Sequence, residues 1–453
     1  MASECSPVLQ YVRLQQISVG CWPLSEMEGN SDSRYRYFRW FLFFIYTFKI
    51  FLEFLYICNH TGNFYALGEM FIVFLTGSLY QVRMTNILFR MPTYCDMLKC
   101  FRDQICLVSN KNPTPFYKKV TEECEGFGKL LVRCFFVIYM FGYIVFYSIP
   151  VFVNWMNGAY EKGSEVRMIL PLTLALPFDT GFHKVPWSIM FVIEFIYGYI
   201  SLGSTLCQDA FYCYMVIHIK GQLDILVNDI KNLTSSEEEE TEKDTIQMNL
   251  KSDAEEACFE YSNAEEMRIY VKLKECIEHH QLIISFVEKL QSAWGVVLMT
   301  NFFYSLVTIC LLGFQLTATV NIKFIIPLKY FSKRIAPFYH PDICYDGCLQ
   351  SLLVAQEVYD IDWPSMSPRI KKILIFLLAR TQQPMQMSAL GLADVSVQTM
   401  SSVTLYFYYH YLNYGLVFSF KGLIVFISWN AVFFGRCMSK MPLFMYLIFS
   451  GGL

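Results

Sequence analysis

Few side chains in this chain have the types and spacing that chemistry requires. His340, Cys344 and Cys348 recur every four residues, which would place three metal-binding side chains on one helix face. Pro341 breaks the helix that this spacing needs, so no metal site is expected. The chain has neither a Gly-x-x-x-x-Gly-Lys phosphate loop nor a Gly-x-Ser-x-Gly nucleophile turn. We therefore predict neither an enzyme nor a bound cofactor.

Acidic residues inside long apolar runs are stronger candidates, because an ionisable group in a membrane segment is a functional candidate by default. Glu194 and Asp209 lie in one such run, and Asp394 lies in another. We expect Asp209 to order the inner end of its span rather than to touch ions. Lys49 and Glu53 are four residues apart in a further run, so they would meet on one face of a helix.

The elements that carry these residues are predicted membrane spans. Three runs, 134–156, 290–322 and 395–420, contain no Asp, Glu, Lys or Arg, and roughly 20 apolar residues suffice for one crossing. The chain has 453 residues, of which 55% are hydrophobic and 17% charged, against about 25% charged in soluble domains. Most of the 16 Cys are expected to be small buried hydrophobes. A soluble enzyme is therefore disfavoured.

The predicted fold is all-α, a polytopic membrane bundle of seven transmembrane helices with an intracellular N-terminus. The first five candidate spans are 37–58, 64–82, 134–156, 187–217 and 294–317. Helical spacing of apolar residues continues on both flanks of the acidic stretch 234–266, which predicts helices that extend beyond the membrane. The predicted organisation is a cytoplasmic N-terminus at 1–36, spans one to five over 37–317 with a long acidic cytoplasmic loop at 218–289, an atypical sixth-span region at 318–343, a cytoplasmic helical segment at 344–383, a last helix at 384–412 and an atypical hydrophobic C-terminal extension at 413–453.

The basic residues of the loops predict which side of the membrane each loop occupies. The counts of Lys and Arg are four in 1–39, none in 59–63, nine in 83–133, three in 157–186 and eight in 218–289. The positive-inside rule then places the N-terminus and the two long basic loops in the cytoplasm. Asn59 opens the sequon Asn59-His60-Thr61 in a loop predicted to be external, which makes it a glycosylation candidate. Residues 1–35 lack an apolar stretch, so no signal sequence is expected.

Several short segments, taken in order, resemble insect odorant receptors of the tuning, ligand-specific kind. The resemblance covers 10–317 and 344–412 and agrees with the inverted topology. The segments are Gly20-Cys21-Trp22-Pro23, Pro177-Phe178-Asp179, Asp209-Ala210 with His218-Ile219 and Gln222-Leu223, His280-Gln281, Cys344-Tyr345-Asp346-Gly347, Arg380-Thr381-Gln382-Gln383-Pro384 and Ser396-Val397-Gln398-Thr399.

The resemblance implies an odorant-gated, non-selective cation channel. In that family a tuning subunit assembles with a shared co-receptor subunit into a heterotetramer, in the plasma membrane of sensory dendrites. The implied partners are the co-receptor, a volatile hydrophobic odorant, permeant cations and membrane lipid, with no nucleic acid. The last helix, 384–412, would line the pore, and the odorant would enter the outer half of the bundle.

An apolar, aromatic pocket with few polar anchors would suit such a ligand. Three of its candidate residues follow i, i+3, i+7 spacing and share one face of the third span. For each candidate, ordinary helix packing is the alternative. The candidates are Phe71, Phe74, Ser148, Val151, Trp155, Ile193, Ile196 and Tyr197.

The candidate pore residues lie in the last predicted helix. Asp394 is expected to attract cations at the inner mouth, and the alternative is an interfacial acid near Arg380. Val403, Tyr406 and His410 share a face that would line or gate the pore. Core packing is the equal alternative for these three residues.

Two departures from the family pattern leave other functions open. Region 318–343 carries four Lys/Arg and three Pro, which make a poor membrane helix, and the chain continues through 413–453. These features suggest a non-functional splice variant, and a membrane transporter is a further alternative. A gustatory-type receptor shares the architecture, but its Thr-Tyr and Gln-Phe signature is absent from 385–420. A G-protein-coupled receptor would need an external N-terminus.

Overall fold

The computed structural model describes most of the bundle and part of the C-terminal region. The described residues are 6–23, 33–59, 64–109, 114–161, 166–172, 174–176, 181–234, 263–319, 351–383, 385, 388–389 and 393–394. Apart from two short strands, the regular structure in these ranges is helical, so the all-α prediction is confirmed there. Within the predicted sixth-span region 318–343, residues 320–343 lie outside the described residues. The predicted C-terminal extension 413–453 also lies outside them.

The helices follow one another along the chain with short connections. A π-helical turn at Phe101–Ile105 and a 3₁₀ turn at Leu107–Ser109 lie between the fourth and fifth helices. Residues 351–359 are also helical. The helices are α1 (Pro7–Ser18), α2 (Ser33–Asn59), α3 (Phe64–Phe89), α4 (Met91–Cys100), α5 (Pro115–Met156), α6 (Lys184–Lys231), α7 (Asn263–Thr319) and α8 (Pro368–Thr381), and the strands are β1 (Ser388–Ala389) and β2 (Ala393–Asp394).

Three of these helices begin with the same local signal. A hydroxyl side chain at the N-cap accepts a hydrogen bond from a backbone N–H of the first turn, and Pro occupies the first helical position, where its missing N–H costs nothing. The acceptor distances are 3.1 Å for α1, 3.2 Å for α5 and 3.5 Å for α8. The pairs are Ser6-Pro7, Thr114-Pro115 and Ser367-Pro368.

Three helices are much longer than a bilayer is thick. At about 1.5 Å per residue, the 48 residues of α6 and the 57 of α7 span roughly 70 and 85 Å, against about 30 Å of hydrocarbon. Four helices in the described ranges are long and apolar enough to cross a membrane, and they lie within α2, α5, α6 and α7. Because α6 runs on to Lys231 and α7 begins at Asn263, the predicted helical flanks of the acidic stretch are confirmed.

The main core surrounds the C-terminal half of α6. Every residue from 206 to 219 is buried, and α6 packs against α1, α3, α5 and α7. A helix that is buried on all sides must pair its polar groups. Asp209 accepts a hydrogen bond from Arg83 of α3 at 2.8 Å, and the same guanidinium reaches Asn301 of α7 at 2.9 Å. Asp209 therefore joins three helices, as its predicted ordering role requires.

The Gly-Cys-Trp-Pro segment ends α1 and anchors it to the bundle. The N–H of Cys21 donates to the carbonyl of Gln16 at 2.8 Å, and that of Gly20 donates to Ile17 at 3.2 Å. These two bonds form a Schellman cap, which needs a left-handed residue, and Gly20 has φ 76°. Trp22 is buried, and its ring lies 6.2 Å from that of Phe211 on α6.

One predicted helix differs in its first part. We expected a continuous helix over 384–412, but β1 and β2 pair antiparallel there, with Ser388 opposite Asp394. The helix therefore does not begin at 384, and Asp394 lies on a strand. Residues 395–412 lie outside the described residues.

Candidate functional site

The loop between α5 and α6 folds onto one end of the bundle and is held there through its backbone. We call this end, near residues 59, 156 and 184, the outer end. The carboxamide of Asn154 bonds both backbone groups of Ile169, donating to its carbonyl at 2.9 Å and accepting from its N–H at 2.8 Å. The indole of Trp187 donates to the same carbonyl at 3.0 Å. Farther along, the N–H of Ala175 donates to the Leu52 carbonyl of α2 at 3.3 Å.

Glu194 of α6 provides a further attachment for this loop. Its side chain is completely buried, and Oε2 accepts the N–H of Leu172 at 2.9 Å. The hydroxyl of Tyr147 donates to the backbone carbonyl of Glu194 at 2.7 Å. Oε1 has no hydrogen-bond partner among the residues that the structure describes. The loop thus bonds the carboxyl group of Glu194 and α5 bonds its backbone carbonyl, while Oε1 is left without a partner in the described part of the chain.

Aromatic rings line the contact between α5 and α6 around this carboxyl group. The ring of Tyr147 lies 6.1 Å from Phe191 and 5.2 Å from Phe195. The ring of Trp187 stacks on Phe191 at 5.2 Å and meets Tyr160 edge-on at 5.9 Å. Such pairs add packing energy beyond the apolar area that they bury. We call Tyr147, Leu172, Trp187, Phe191 and Glu194 the outer site.

A glycine lets the two helices approach at this point. A Cβ atom built on Gly198 would overlap the hydroxyl oxygen of Tyr147. A residue with a side chain therefore does not fit here unless its neighbours move. Small residues allow close approach of helices in membranes. Gly198 lies one turn after Glu194, so the same stretch of α6 provides both the close contact and the carboxyl group.

A second polar group lies on α2, and it confirms one contact expected from the sequence. Lys49 and Glu53 form a buried ion pair at 2.8 Å. Opposite them on α3 is Gly77, whose Cβ would lie 3.0 Å from the Lys49 nitrogen. Tyr46, one turn earlier on α2, donates its hydroxyl to the carbonyl of Tyr197 on α6. The rings of Tyr46 and Tyr197 are 5.5 Å apart.

The predicted ligand residues on α3 and one of those on α6 are half-buried. Phe71 and Phe74 are half-buried on α3, with ring centroids 6.0 Å apart, and Phe74 lies 6.3 Å from Phe54 of α2. Tyr197 is half-buried and contacts Tyr46. These three residues lie on the side of the outer end where α2, α3 and α6 meet.

The three residues predicted on α5 do share a face, but that face points away from the packed interior. Val151 is 38% exposed and Trp155 is 67% exposed, while the hydroxyl of Ser148 bonds the carbonyl of Ile144 on its own helix. The described part of the chain therefore leaves this face open, and its contact with a ligand stays a prediction. An α5 segment that is apolar all round carries no periodic signal to select its inner face.

The buried face of α5 lies about one residue away from the predicted one. It contains Tyr143, Tyr147, Pro150 and Asn154, which follow i, i+4, i+7, i+11 spacing. Their polar tips mark this face, since a buried tyrosine or asparagine needs a hydrogen-bond partner. Sequence reasoning missed Tyr147 and Asn154, and this spacing of polar tips is the signal that would have found them.

The remaining predicted residues on α6 are similarly divided. Ile193 is 38% exposed and Ile196 is 52% exposed, so both lie on the open side of α6. The buried side carries Trp187, Glu194 and Ser201. The structure therefore does not bring all eight predicted ligand residues together.

The predicted pore and modification residues are only partly described. Asp394 lies on β2, and the hairpin packs against α7 through β1. Val403, Tyr406 and His410 lie outside the described residues. Asn59 is exposed at the last residue of α2, while His60 and Thr61 of its sequon also lie outside them.

The opposite end of the bundle holds a different kind of cavity. An open cleft of about 560 Å³ lies between the π-helical turn, α5, α6 and α7, and its lining includes the acidic residues Asp103, Asp229 and Glu278. The hydrogen bond from Arg102 lowers the pKa of Asp103 below its usual value. An open, acidic cleft is a poor site for a small apolar ligand, which binds in enclosed apolar surroundings.

The described side chains provide binding rather than reaction chemistry. No group of three or more His, Cys, Asp or Glu side chains in the described ranges is arranged to hold a metal ion. His340, Cys344 and Cys348 lie outside those ranges. The outer site combines aromatic walls with a single free acceptor, an arrangement that orients a small ligand.

Comparison with known proteins finds relatives over most of the chain. The family model described as 7tm Odorant receptor matches residues 63–408. Odorant receptor 13a of Drosophila melanogaster is 20% identical over 416 residues, which are 85% of this chain and 89% of that protein. Odorant receptor 67a of the same species is 31% identical over 140 residues, which are 29% of this chain and 32% of that protein.

Solved structures with the same fold include an insect receptor with and without a ligand. The olfactory receptor OR5 from Machilis hrabei matches with a TM-score of 0.67 at 12% identity, over 90% of this chain and 97% of that chain. The same receptor in complex with eugenol matches with a TM-score of 0.68 at 13% identity, over 89% and 96% of the two chains. At these identities the likeness shows the fold alone.

Proposed function

Because the chain belongs to the insect odorant receptor family, we propose that it is the odorant-specific subunit of a ligand-gated, non-selective cation channel. It is a membrane protein of a receptor family rather than an enzyme. The proposed channel is a heterotetramer of this chain with a shared co-receptor subunit, in the plasma membrane and with a cytoplasmic N-terminus. Its ligand is a small volatile molecule, and its permeant ions are cations.

The observation that carries this proposal is the outer site at the end of the bundle. The Machilis hrabei receptor with this fold binds eugenol, a small aromatic molecule. In the present chain, aromatic rings and one buried carboxyl group meet beneath a loop that is tied to α2, α5 and α6. Aromatic surroundings with few polar groups suit a volatile ligand.

We assign the odorant contacts to two groups of residues. The first group is half-buried on α3 and α6 and is proposed to contact the odorant, as the sequence predicts. It contains Phe71, Phe74 and Tyr197. Ser148, Val151, Trp155, Ile193 and Ile196 lie on faces that this chain leaves open. For these five, the proposed role is contact with a ligand that approaches from the side, or with lipid or a neighbouring subunit.

The ion pathway is proposed for the last part of the chain. Asp394 would attract cations, and Val403, Tyr406 and His410 would line or gate the pore. Support for this proposal is the family membership, because the family model extends to residue 408.

The direct test is electrical. The chain is co-expressed with an insect odorant co-receptor in a cell that has neither protein, and whole-cell current is recorded across a panel of volatile compounds. An odorant-evoked inward current is expected, and it should persist when Na⁺ is replaced by K⁺ but vanish when both are replaced by a large organic cation. Cells with the co-receptor alone are the control.

If no odorant evokes a current, a tag detected at the cell surface shows whether the chain has reached the plasma membrane. Absence of current from every odorant, although the tagged chain reaches the plasma membrane, would contradict the proposal and favour a non-functional variant or a transporter. An odorant-evoked current that chloride replacement abolishes would contradict the cation pathway alone.

A further inference from the structure

We propose that Glu194 makes this receptor selective for odorants that carry a hydrogen-bond donor, such as an alcohol, a phenol or an amine. The inference rests on the proposed function, since it assumes that odorants bind at the outer site. It assigns the chemical class of ligand, which the family membership leaves open.

The first argument is the state of the Glu194 carboxyl group. The side chain has no exposed surface, and its Oε2 is engaged by the N–H of Leu172. Its Oε1 is also buried and has no hydrogen-bond partner in the described part of the chain. Leaving a buried polar atom without a partner is costly, so such atoms in native structures usually have a role or a missing partner. A donor group on a ligand would satisfy this oxygen.

The second argument is that the nearby cation on α2 is already engaged. Lys49 lies 2.8 Å from Glu53, and both side chains are buried. The neighbouring Tyr147 hydroxyl donates to the backbone carbonyl of Glu194, not to its carboxyl group. Two groups that could complete the carboxyl group are therefore committed elsewhere, and Oε1 has no partner among the described residues.

The third argument is the chemical contrast around the acceptor. Trp187 and Phe191 lie seven and three residues before Glu194, so all three share one face of α6. Their rings stack at 5.2 Å, and Phe191 also meets Tyr147. One acceptor beside aromatic walls matches a ligand with an apolar body and a single donor. A ligand without a donor would leave this buried oxygen unpaired, so the contact would discriminate strongly between a donor compound and its ether.

The test uses pairs of odorants that differ only in the donor. Eugenol and methyl eugenol form one pair, and 2-phenylethanol and its methyl ether form another. Each is applied to the wild-type chain, Glu194→Gln and Glu194→Leu, all co-expressed with the co-receptor. In the wild type, we expect the donor compound to act at about tenfold lower concentration than its ether, as one hydrogen bond to an otherwise unpaired buried oxygen implies.

The variants separate the donor contact from a general loss of structure. Glu194→Leu should reduce sensitivity to the alcohol and phenol about tenfold, while sensitivity to the ethers stays within about twofold. Glu194→Gln keeps an acceptor for Leu172 and should give an intermediate preference. Val192→Ala, on the exposed side of the same helix, serves as the matched control and should leave the preference unchanged.

Each outcome decides between the proposals. Equal sensitivity to both members of each pair in the wild type, or an unchanged preference in Glu194→Gln and Glu194→Leu, would overturn the donor inference while leaving the receptor function intact. No current from any odorant would instead count against the proposed function. If Glu194→Leu fails to reach the cell surface, the preferences of the wild type and Glu194→Gln still decide whether the donor inference holds.

Discussion

At the scale of single residues, Gly20 has the clearest conformational requirement. It adopts φ 76° in the cap of α1, and its Cβ would lie 3.0 Å from a methyl carbon of Leu42. A left-handed conformation costs most residues about 1–2 kcal/mol. We expect Gly20→Ala to lower the stability of the purified protein by at least that amount, which thermal unfolding monitored by gel filtration would measure.

A second glycine provides the control for this substitution. Gly126 is exposed within α5, and nothing lies within 4 Å of a Cβ built there. Gly126→Ala should raise the stability by about 0.5–1 kcal/mol, since alanine is the better helix former. Equal effects of the two substitutions would show that the cap does not depend on the positive φ of Gly20.

The ion pair of Arg83 and Asp209 leads to a prediction about burial of charge. Removing one partner of a buried pair costs about 3–5 kcal/mol, whereas replacing both by apolar residues is often neutral. Arg83→Leu and Asp209→Leu alone should therefore abolish most folded protein at the cell surface. The double variant should recover much of it, because no unpartnered charge remains.

Quantitative surface labelling of the wild type, the two single variants and the double variant measures these effects as a double-mutant cycle. A double variant as poorly folded as the worse single variant would show that Asn301 and the Thr205 carbonyl, which also accept from Arg83, depend on the guanidinium.

Residue identity alone predicted some of these contacts and not others. Lys49 and Glu53 were recognisable because an i, i+4 ion pair depends only on helical spacing. The role of Asp209 was expected in outline, but its partner Arg83 lies 126 positions away and came from tertiary packing. The buried face of α5 could not be selected from the sequence because the exposed side of this helix is equally apolar.

At the scale of elements, the contact of α5 with α6 depends on Gly198. Alanine at this position would place a Cβ on top of the hydroxyl oxygen of Tyr147. We expect Gly198→Ala to cost about 1–3 kcal/mol, as overpacked interiors do, and to displace Tyr147 from the Glu194 carbonyl. Odorant sensitivity should fall together with thermal stability.

The matched control for this substitution lies on the partner helix. Gly142 of α5 has nothing within 4 Å of its Cβ position. Gly142→Ala should leave both the unfolding temperature and the odorant response unimpaired. A response lost equally in both variants would exclude close packing at Gly198 as the cause.

Element boundaries were predictable where local signals are strong. Ser/Thr-Pro pairs start three helices, and the apolar periodicity extends α6 and α7 beyond the membrane as expected. The hairpin at β1 and β2 was missed because a long uncharged run follows Asp394 and resembles a single membrane helix. Two-residue strands are fixed by their pairing and their contact with α7, neither of which is visible in local sequence.

At the scale of the whole molecule, the direction of insertion is the main prediction. The positive-inside rule places the N-terminus in the cytoplasm and Asn59 outside. We expect an N-terminal epitope tag to be stained only after permeabilisation of cells. Digestion by a glycosidase should lower the apparent mass of the wild type in gel electrophoresis, but not that of Asn59→Gln.

Two results would contradict this topology. The first is staining of the N-terminal tag on intact cells. The second is glycosidase sensitivity that depends on Asn232, which opens the sequence Asn232-Leu233-Thr234 in the loop 218–289, predicted to be cytoplasmic. Asn59 lies at the last residue of α2, close to the membrane, so absence of glycan at Asn59 alone would leave the tag experiment to decide.

The described part of the loop over the outer end accepts and donates its hydrogen bonds to the helices through its main chain. Asn154 and Trp187 bind the backbone of Ile169, and Glu194 binds the N–H of Leu172. These bonds do not depend on which side chains the loop carries. Over evolutionary time the loop can therefore exchange residues such as Leu170 without losing its attachment, so that a gene duplicate can acquire a new odour preference before any change to its helical framework.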